Sequence, residues 1–257
     1  LDNVKIDDND IVVDIGANDC TMIDMFPNKL NRIAVEPAKN IDWKYVDKSI
    51  NIVNEYFSKE IVMQETKKEK AKIITATAMF YDFNDPNIVT KDIKEILHND
   101  GVCVIQVSYL LDTIKDMNFY DAMHEHLEYY SLKSINYLME KNGLTVIDAS
   151  TNFVNGGSLR ILVTHKDTAK PKSKQYERLL SEEKKWNLDE PNTYVQFTKN
   201  IQDIIEKSRN FILEQNQNGK KIIGLGASSK GNVLLQICGF DKKSLPYISD
   251  RNKDKVG

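Results

Sequence analysis

Side chains suited to proton transfer are concentrated at His124, Glu125 and His126, after a run of apolar residues that predicts a strand. Histidine has an ordinary pKa of about 6.5, so its imidazole can accept a proton near neutral pH. A base of this kind can remove a proton from a carbon beside a carbonyl group. The enolate that forms then needs a hydrogen-bond donor, and Tyr109 and Tyr81 are candidates for that role.

Two other interpretations of these histidines stay open at this point. Histidines near a loop are often surface or helix-capping residues. A His-x-His pair can also bind a metal, because residues i and i+2 share one face of a strand. His98 and His165 are the other two of the four histidines, and neither has the sequence spacing expected of a third metal ligand. We therefore predict no metal site.

A glycine turn at residues 14–19 follows the first predicted strand. Gly16 allows the chain to turn tightly and a ligand to approach the backbone. Asp14 and Asp19 are acceptors suited to an ammonium group. Glu36, about 20 residues further on, stands where a carboxylate accepts both hydroxyls of a ribose.

This combination favours S-adenosylmethionine as the cofactor. NAD is less suited, because its pyrophosphate would be repelled by the carboxylates and the G-x-G-x-x-G pattern is absent from this turn. A turn that binds nothing is the remaining alternative. The predicted cofactor residues are Asp14, Gly16, Asn18, Asp19, Glu36, Pro37, Thr77 and Met79.

A second glycine-rich loop covers residues 224–231, between a predicted strand and a predicted helix. Its backbone N–H groups and Lys230 could hold a phosphate. It is not a Walker A loop, since Lys-Ser/Thr does not follow the final glycine. Asp250 ends the next strand, where NAD proteins hold a ribose, so NAD stays open here, as does a turn that only packs a helix.

Apolar runs that alternate with helical patterns are needed to position these loops. We predict strands at residues 11–15, 32–36, 50–57, 72–76 and 102–108, with helices at 88–98 and 131–141. Strands at 144–149 and 159–164, joined across Asn155, Gly156 and Gly157, predict an antiparallel hairpin. The fold class is therefore α/β, a doubly wound sheet with a terminal antiparallel hairpin.

The rest of the chain predicts a second, smaller domain. Residues 192–217 show the spacing of a long amphipathic helix, and a second strand–loop–helix–strand follows Gly219. We predict three regions: a cofactor domain at 1–165, a linker and long helix at 166–218, and a partial Rossmann-like α/β domain at 219–257. The last region is half of a nucleotide-binding sheet, so we expect the protein to continue past Gly257.

Composition narrows the classes of partner. The chain has 257 residues and a net charge of −3, and no stretch is strongly basic, which argues against a nucleic acid partner. No apolar run reaches the length of about 20 residues that a membrane span requires. The three cysteines lie far apart and fit a reducing cytoplasm. We expect a cytoplasmic enzyme with a small-molecule substrate, and a homo-oligomer is possible.

Five segments resemble the sugar-nucleotide C-methyltransferases of deoxysugar biosynthesis. They are DIGAND at 14–19, VEPA at 35–38, YYSL at 129–132, NGGSLR at 155–160 and GLGASSKGN at 224–232. They stand in the same order as in that family and cover nearly the whole chain. The family's cysteine-rich zinc module has no counterpart in this sequence. Cys20, Met123 and residues 79–82 also depart from the family's usual pattern.

The resemblance implies a class I methyltransferase domain, followed by an α/β domain that helps to hold a nucleotide-linked keto-deoxysugar. It makes His126 the better candidate for the base, with Glu125 orienting it or binding the sugar and His124 beside them. It also implies these substrate-binding residues: Tyr81, Asn155, Gly156, Lys230 and Asn232. An O- or N-methyltransferase of a small metabolite and a noncatalytic nucleotide-binding module are the alternatives.

Overall fold

The computed structural model describes residues 4–168 and 170–255. Contacts divide them into two compact units, and each unit contains two stretches of the chain. Unit one consists of residues up to 110 together with 127–185. Unit two consists of 111–126 together with the residues from 186 onward.

A seven-stranded sheet forms the centre of unit one, in the order β3-β2-β1-β4-β5-β7-β6. Its strands are β1 (Ile11–Ile15), β2 (Asn31–Val35), β3 (Asn51–Val53), β4 (Ala71–Thr77), β5 (Leu97–Ser108), β6 (Leu144–Asn152) and β7 (Ser158–His165). The first five are parallel, and β7 pairs antiparallel with both β5 and β6. The predicted doubly wound α/β sheet with a terminal antiparallel hairpin is confirmed.

Buried strands and capped helices explain why unit one folds this way. All five residues of β1 are buried, as expected for a β-branched run in the middle of a parallel sheet. Its helices are α1 (Thr21–Asp24), α2 (Lys59–Glu65), α3 (Pro86–Ile96), α5 (Leu132–Lys141) and α6 (Lys174–Lys185), whereas α4 (Leu110–Lys115) belongs to unit two except for its first residue. Ser131 caps α5 as predicted, since its hydroxyl accepts from the Ser134 N–H at 3.0 Å.

Unit two contains the long predicted helix, α7 (Pro191–Gln217), and a two-stranded parallel sheet. The sheet pairs β8 (Ile223–Leu225) with β9 (Tyr247–Ser249), and α8 (Ser229–Cys238) lies between them in the chain. The Arg209 side chain on α7 donates to the carbonyls of Cys238 and Ile237 at 2.6 and 3.2 Å. These two bonds join the long helix to the end of α8.

The third strand is shorter than the predicted 50–57. It ends at Val53, and the Asn54 side chain donates to the carbonyls of Glu36 and Ala38 at 2.7 and 3.0 Å. These bonds turn the chain toward the end of β2. The aromatic residues that made the pattern look like a longer strand therefore lie in a loop.

The division into units differs from the predicted domain boundaries in two places. Residues 166–185 belong with unit one, because α6 packs on β6 and buries Tyr176 and Leu179. Residues 111–126 belong with unit two, although they lie between strands of unit one in the chain. Lys230 on α8 forms an ion pair with Asp121 at 2.6 Å and helps to hold this segment.

Candidate functional site

A cleft of 570 Å³ opens in unit one at the carboxyl ends of β1, β2 and β4. The strand order reverses between β1 and β4, and open α/β sheets bind their ligands at such a point. Most of the predicted cofactor residues line this cleft: Gly16, Asn18, Glu36, Pro37, Thr77 and Met79. The cleft is therefore the candidate cofactor site.

Gly16 brings the backbone close to the floor of the cleft. Its φ is +68°, and a Cβ placed there would lie 2.7 Å from the Cγ of Met79. A side chain at this position would thus be strained in its backbone and would also collide with a cleft residue. The Gly16 N–H donates to the Val35 carbonyl at 2.9 Å, which fixes the turn between β1 and β2.

Glu36 organises the wall of the cleft beside this turn. It is buried, and its two carboxylate oxygens accept from the N–H groups of Asn18 and Ala38 at 2.9 and 2.8 Å. A carboxylate has further lone pairs for two hydroxyl donors. These bonds fix the carboxylate in an orientation from which it can accept from the hydroxyls of a ribose.

The two predicted ammonium acceptors do not line the cleft. Asp14 is buried beneath the turn, where Thr75 on β4 donates to its carboxylate at 2.5 Å. Burial, with a contribution from the charge of Glu36, raises the pKa of Asp14 from 3.8 to about 6. Hydrogen bonds from the Thr21 side chain and from the Thr21 N–H, the latter at 3.1 Å, lower the pKa of Asp19. Asp14 therefore does not contact a ligand in the cleft, and any electrostatic effect of its charge on a cationic ligand acts across the turn.

Aromatic side chains form a part of the cleft that the sequence analysis missed. Tyr56, Phe57 and Phe83 line it together with Asp82 and Asn84. Tyr56 and Phe57 follow β3, and Phe83 follows the loop after β4. The signal was present in the sequence as aromatic residues that follow two parallel strands of the same sheet, but the first pair was assigned to the strand itself.

The two tyrosines considered as enolate donors have their hydroxyls engaged within unit one. Tyr109 is fully buried, and its hydroxyl donates to Glu183 at 2.9 Å. The same carboxylate accepts from the N–H of Lys133 at the start of α5 at 3.1 Å. The Tyr81 hydroxyl donates to the Ala78 carbonyl at 2.8 Å. A phenol has one proton to donate, so this geometry argues against both as donors to a substrate, and Tyr81 as a substrate contact stays a prediction.

The histidine segment lies in unit two. The Nδ1 atom of His124 lies 3.3 Å from a carboxylate oxygen of Glu125, and both side chains are exposed. His126 is half-buried, and its backbone N–H donates to the Met123 carbonyl at 3.1 Å. The partly enclosed His126 is thus distinguished from the exposed His124.

The hairpin loop between β6 and β7 presents Asn155 and Gly156 at the surface of unit one. Both have positive φ, of 57° and 87°. The turn geometry alone thus accounts for the asparagine and glycine types, and their contact with a substrate stays a prediction.

The glycine-rich loop of unit two already uses several of its donors. The N–H groups of Gly226, Ala227 and Gly231 donate to Ser249, Asp250 and Ser228, respectively. Lys230 is paired with Asp121, and the Asn232 N–H donates to the Ser228 carbonyl at 2.9 Å. A phosphate at this loop would have to displace some of these bonds. The predicted phosphate and sugar contacts of Lys230 and Asn232 stay predictions.

Among residues 4–168 and 170–255, no group of three or more His, Cys, Asp or Glu side chains is arranged to hold a metal ion. Within the same residues, no helix has the length and apolar character needed to cross a membrane.

Comparison with known proteins adds family information to this geometry. Residues 5–149 match the methyltransferase domain family, and residues 153–257 match the C-methyltransferase C-terminal domain. The C-methyltransferase NovU of Streptomyces niveus is 27% identical over the whole of this chain. The chain spans 62% of the length of that relative.

Solved structures resemble the chain more distantly. A putative methyltransferase complexed with the Trm112 activator of Haloferax volcanii gives a TM-score of 0.49 at 12% identity, covering 64% of this chain and 86% of that one. The YcgJ protein of Bacillus subtilis gives 0.46 at 15% identity, covering 59% and 69%. These values are low, so the fold assignment rests on the strand order and the sequence families.

The resemblance to C-methyltransferases is confirmed by the two family matches, which follow one another along the chain. The first covers the sheet and the cleft, and more than half of the residues. The chain therefore belongs to the methyltransferase domain family, and it carries a C-terminal region of the C-methyltransferase type.

Proposed function

We propose that this protein is an S-adenosylmethionine-dependent C-methyltransferase that acts on a nucleotide-linked keto-deoxysugar. One observation carries the proposal: a cleft lined by Gly16 and Glu36 precedes a region of the C-methyltransferase type in the same chain. The nucleotide sugar as substrate is supported by the resemblance of the loops at 155–160 and 224–232.

The cleft fits the cofactor in its donor and acceptor chemistry. The Glu36 carboxylate would accept from the ribose hydroxyls, and Tyr56 or Phe57 offers an aromatic face for the adenine. Gly16, which has no Cβ, lets the turn pack directly against Met79 at the cleft, so the backbone of the turn stays within reach of the ligand. When bound, the cofactor supplies an electrophilic methyl group.

The protein's own residues contribute proton abstraction from the substrate. The carbon beside the keto group is not nucleophilic until its C–H bond is broken, and His126 is the proposed base that takes this proton. The electron pair of the C–H bond then forms a carbon–carbon double bond, and the keto oxygen gains the negative charge. A histidine near neutral pH suits this transfer, and Glu125 is the proposed partner that orients it or binds the sugar.

A substrate panel tests the reaction directly. The protein is incubated with S-adenosylmethionine and nucleoside diphosphate 4-keto-6-deoxyhexoses, and mass spectrometry looks for the gain of one CH₂ unit. Position-specific analysis by NMR then assigns the methyl group to carbon or oxygen. Methylation on oxygen, or on nitrogen of an amino sugar, would replace the proposal with the O- or N-methyltransferase alternative.

The role of His126 has its own test. General-base catalysis contributes typically ~10²–10⁴-fold, so His126→Ala should lower turnover by about that factor without changing cofactor affinity. His126→Gln should not restore it, because an amide is not basic. An equal loss in His124→Ala with no loss in His126→Ala would transfer the role to His124.

A further inference from the structure

Tyr130 has a buried hydroxyl that the fold itself does not use. The residue is 6% exposed, and its Oη has no hydrogen-bond partner among the residues that the structure describes. Buried polar atoms without a partner are rare in proteins. Such an atom loses its hydrogen bonds to water when the chain folds, and the protein does not replace them. An unpaired hydroxyl thus destabilises the fold, and a function is one reason for its presence.

The backbone places Tyr130 at the same edge of the sheet as the cleft. It forms a bridge with Tyr109, which directly follows β5, and its carbonyl accepts from the Leu110 N–H at 3.0 Å. Three residues earlier, the Leu127 N–H donates to the Tyr81 carbonyl at 2.9 Å. Residues 127–130 therefore span the loops that follow β4 and β5, and the β4 loop lines the cleft.

A second unpaired group accompanies this hydroxyl. The Oε2 atom of Glu128 is buried and has no hydrogen-bond partner among the described residues. Burial and the nearby charge of Asp82, which lines the cleft, raise the pKa of Glu128. Burial and the charge of Glu128 in turn raise the pKa of Tyr130, so the phenol keeps its proton at neutral pH.

We infer that the Tyr130 hydroxyl is the donor to the oxygen that becomes negative when the substrate enolate forms. This inference rests on the proposed carbon methylation, which requires such a donor. The C–H bond breaks, its proton goes to the base, and the keto oxygen takes the charge and accepts the hydrogen bond from Tyr130. The tyrosine keeps its proton throughout.

The neighbouring tyrosines support this assignment by contrast. The hydroxyls of Tyr109 and Tyr81 donate to Glu183 and to the Ala78 carbonyl, whereas that of Tyr130 has no acceptor in the described residues. The Tyr130 oxygen is shielded from water, so the substrate must displace the side chains that cover it. A hydrogen bond formed in such a water-free place is stronger than one in solvent.

The test compares Tyr130→Phe with the parent in two measurements. The first is hydrogen–deuterium exchange at the carbon beside the keto group of thymidine diphosphate 4-keto-6-deoxyglucose. The exchange is monitored by NMR in deuterated water with S-adenosylhomocysteine present. Loss of one preorganised donor typically costs ~10²–10³-fold, so exchange should fall by about that factor. Tyr137→Phe, which changes an exposed tyrosine on α5, is the control and should exchange like the parent.

The second measurement is the thermal unfolding midpoint, which needs no substrate. Removal of an unpaired buried hydroxyl should leave the midpoint unchanged or raise it. A clearly lower midpoint in Tyr130→Phe would mean that the hydroxyl serves the fold, and would overturn the inference. Exchange at the parental rate in Tyr130→Phe would overturn it while leaving the proposed function standing. A parent that exchanges none of the keto-sugar protons would overturn both.

Discussion

Glu36 connects the protein fold to the proposed ribose contact. Glu36→Ala should weaken S-adenosylmethionine binding by about 1.5–3 kcal/mol, the range for hydrogen bonds to a charged group. The N–H groups of Asn18 and Ala38 also lose their acceptor, so some loss of stability is expected as well. Calorimetric titration measures the affinity, and Glu60→Ala on the exposed face of α2 is the control. Equal affinity in Glu36→Ala and the parent would remove Glu36 from the ribose site.

Gly16 allows a test that separates backbone strain from crowding. Gly16→Ala forces alanine into a positive φ and places its Cβ against Met79, so both stability and cofactor affinity should fall. Gly219→Ala is a matched control, because φ there is +70° and nothing lies within 4 Å of the added Cβ. In both variants the positive φ strains the alanine backbone, which lowers the free energy of unfolding by roughly 1–2 kcal/mol.

Denaturant unfolding and cofactor titration of both variants give the comparison. We expect Gly16→Ala to lose more stability than Gly219→Ala, and to lose cofactor affinity that the control retains. Parental cofactor affinity in Gly16→Ala would show that the ligand does not approach this turn.

At the scale of elements, the pairing of β1 with β4 buries a titratable group. Asp14 stands opposite Thr75 in the register, and its pKa is raised from 3.8 to about 6 in the folded protein. The folded state therefore binds this proton more tightly than the unfolded state. Its stabilising contribution is fully present below about pH 3.8 and is lost as the pH rises through about 6.

The size of this effect follows from the two pKa values and amounts to roughly 2–3 kcal/mol. Asp14→Asn keeps an acceptor for Thr75 and cannot ionise. The unfolding free energy of the parent should fall relative to that of Asp14→Asn between pH 4 and 7, measured by urea unfolding. Parallel pH profiles for the two proteins would contradict the raised pKa.

The elements themselves were largely predictable from the sequence. The β-branched runs of β1, β2 and β4 gave the parallel sheet, and Ser131 gave the start of α5. The aromatic wall of the cleft was not predictable in the same way, because Tyr56 and Phe57 fit a strand pattern as well as a loop. The Asn54 side chain decides between the two, and its bonds to Glu36 and Ala38 are tertiary contacts.

At the scale of the whole molecule, unit two depends on contacts between distant parts of the chain. The predicted boundaries kept the histidine segment with the first domain, since local patterns do not reveal a partner far along the sequence. The Asp121 side chain is 4% exposed and pairs with Lys230, which is partly exposed. Loss of Lys230 would remove an opposite charge from this buried carboxylate, which is destabilising.

A double-mutant cycle measures this pair. Lys230→Met should destabilise the protein by about 1.5–3 kcal/mol, the range for a hydrogen bond to a charged group, because the buried Asp121 carboxylate loses its lysine partner. The double variant with Asp121→Asn should recover part of this loss. Lys220→Met removes an exposed lysine of the same unit and is the control. Cleavage within residues 111–126 should also become faster in Lys230→Met in limited proteolysis. Additive effects of the two substitutions would show that the pair is not energetically coupled.

The discontinuous make-up of unit two also bears on the order in which the protein is synthesised. Residues 111–126 leave the ribosome well before residues 186–255, with which they form unit two. The strands of unit one can pair during this interval, whereas the histidine segment waits for α8 and its Lys230. A nascent chain halted near residue 200 should therefore protect the sheet from protease and leave 111–126 open to cleavage. A deletion that removes the C-terminal region should likewise separate the proposed base from the residues that hold it.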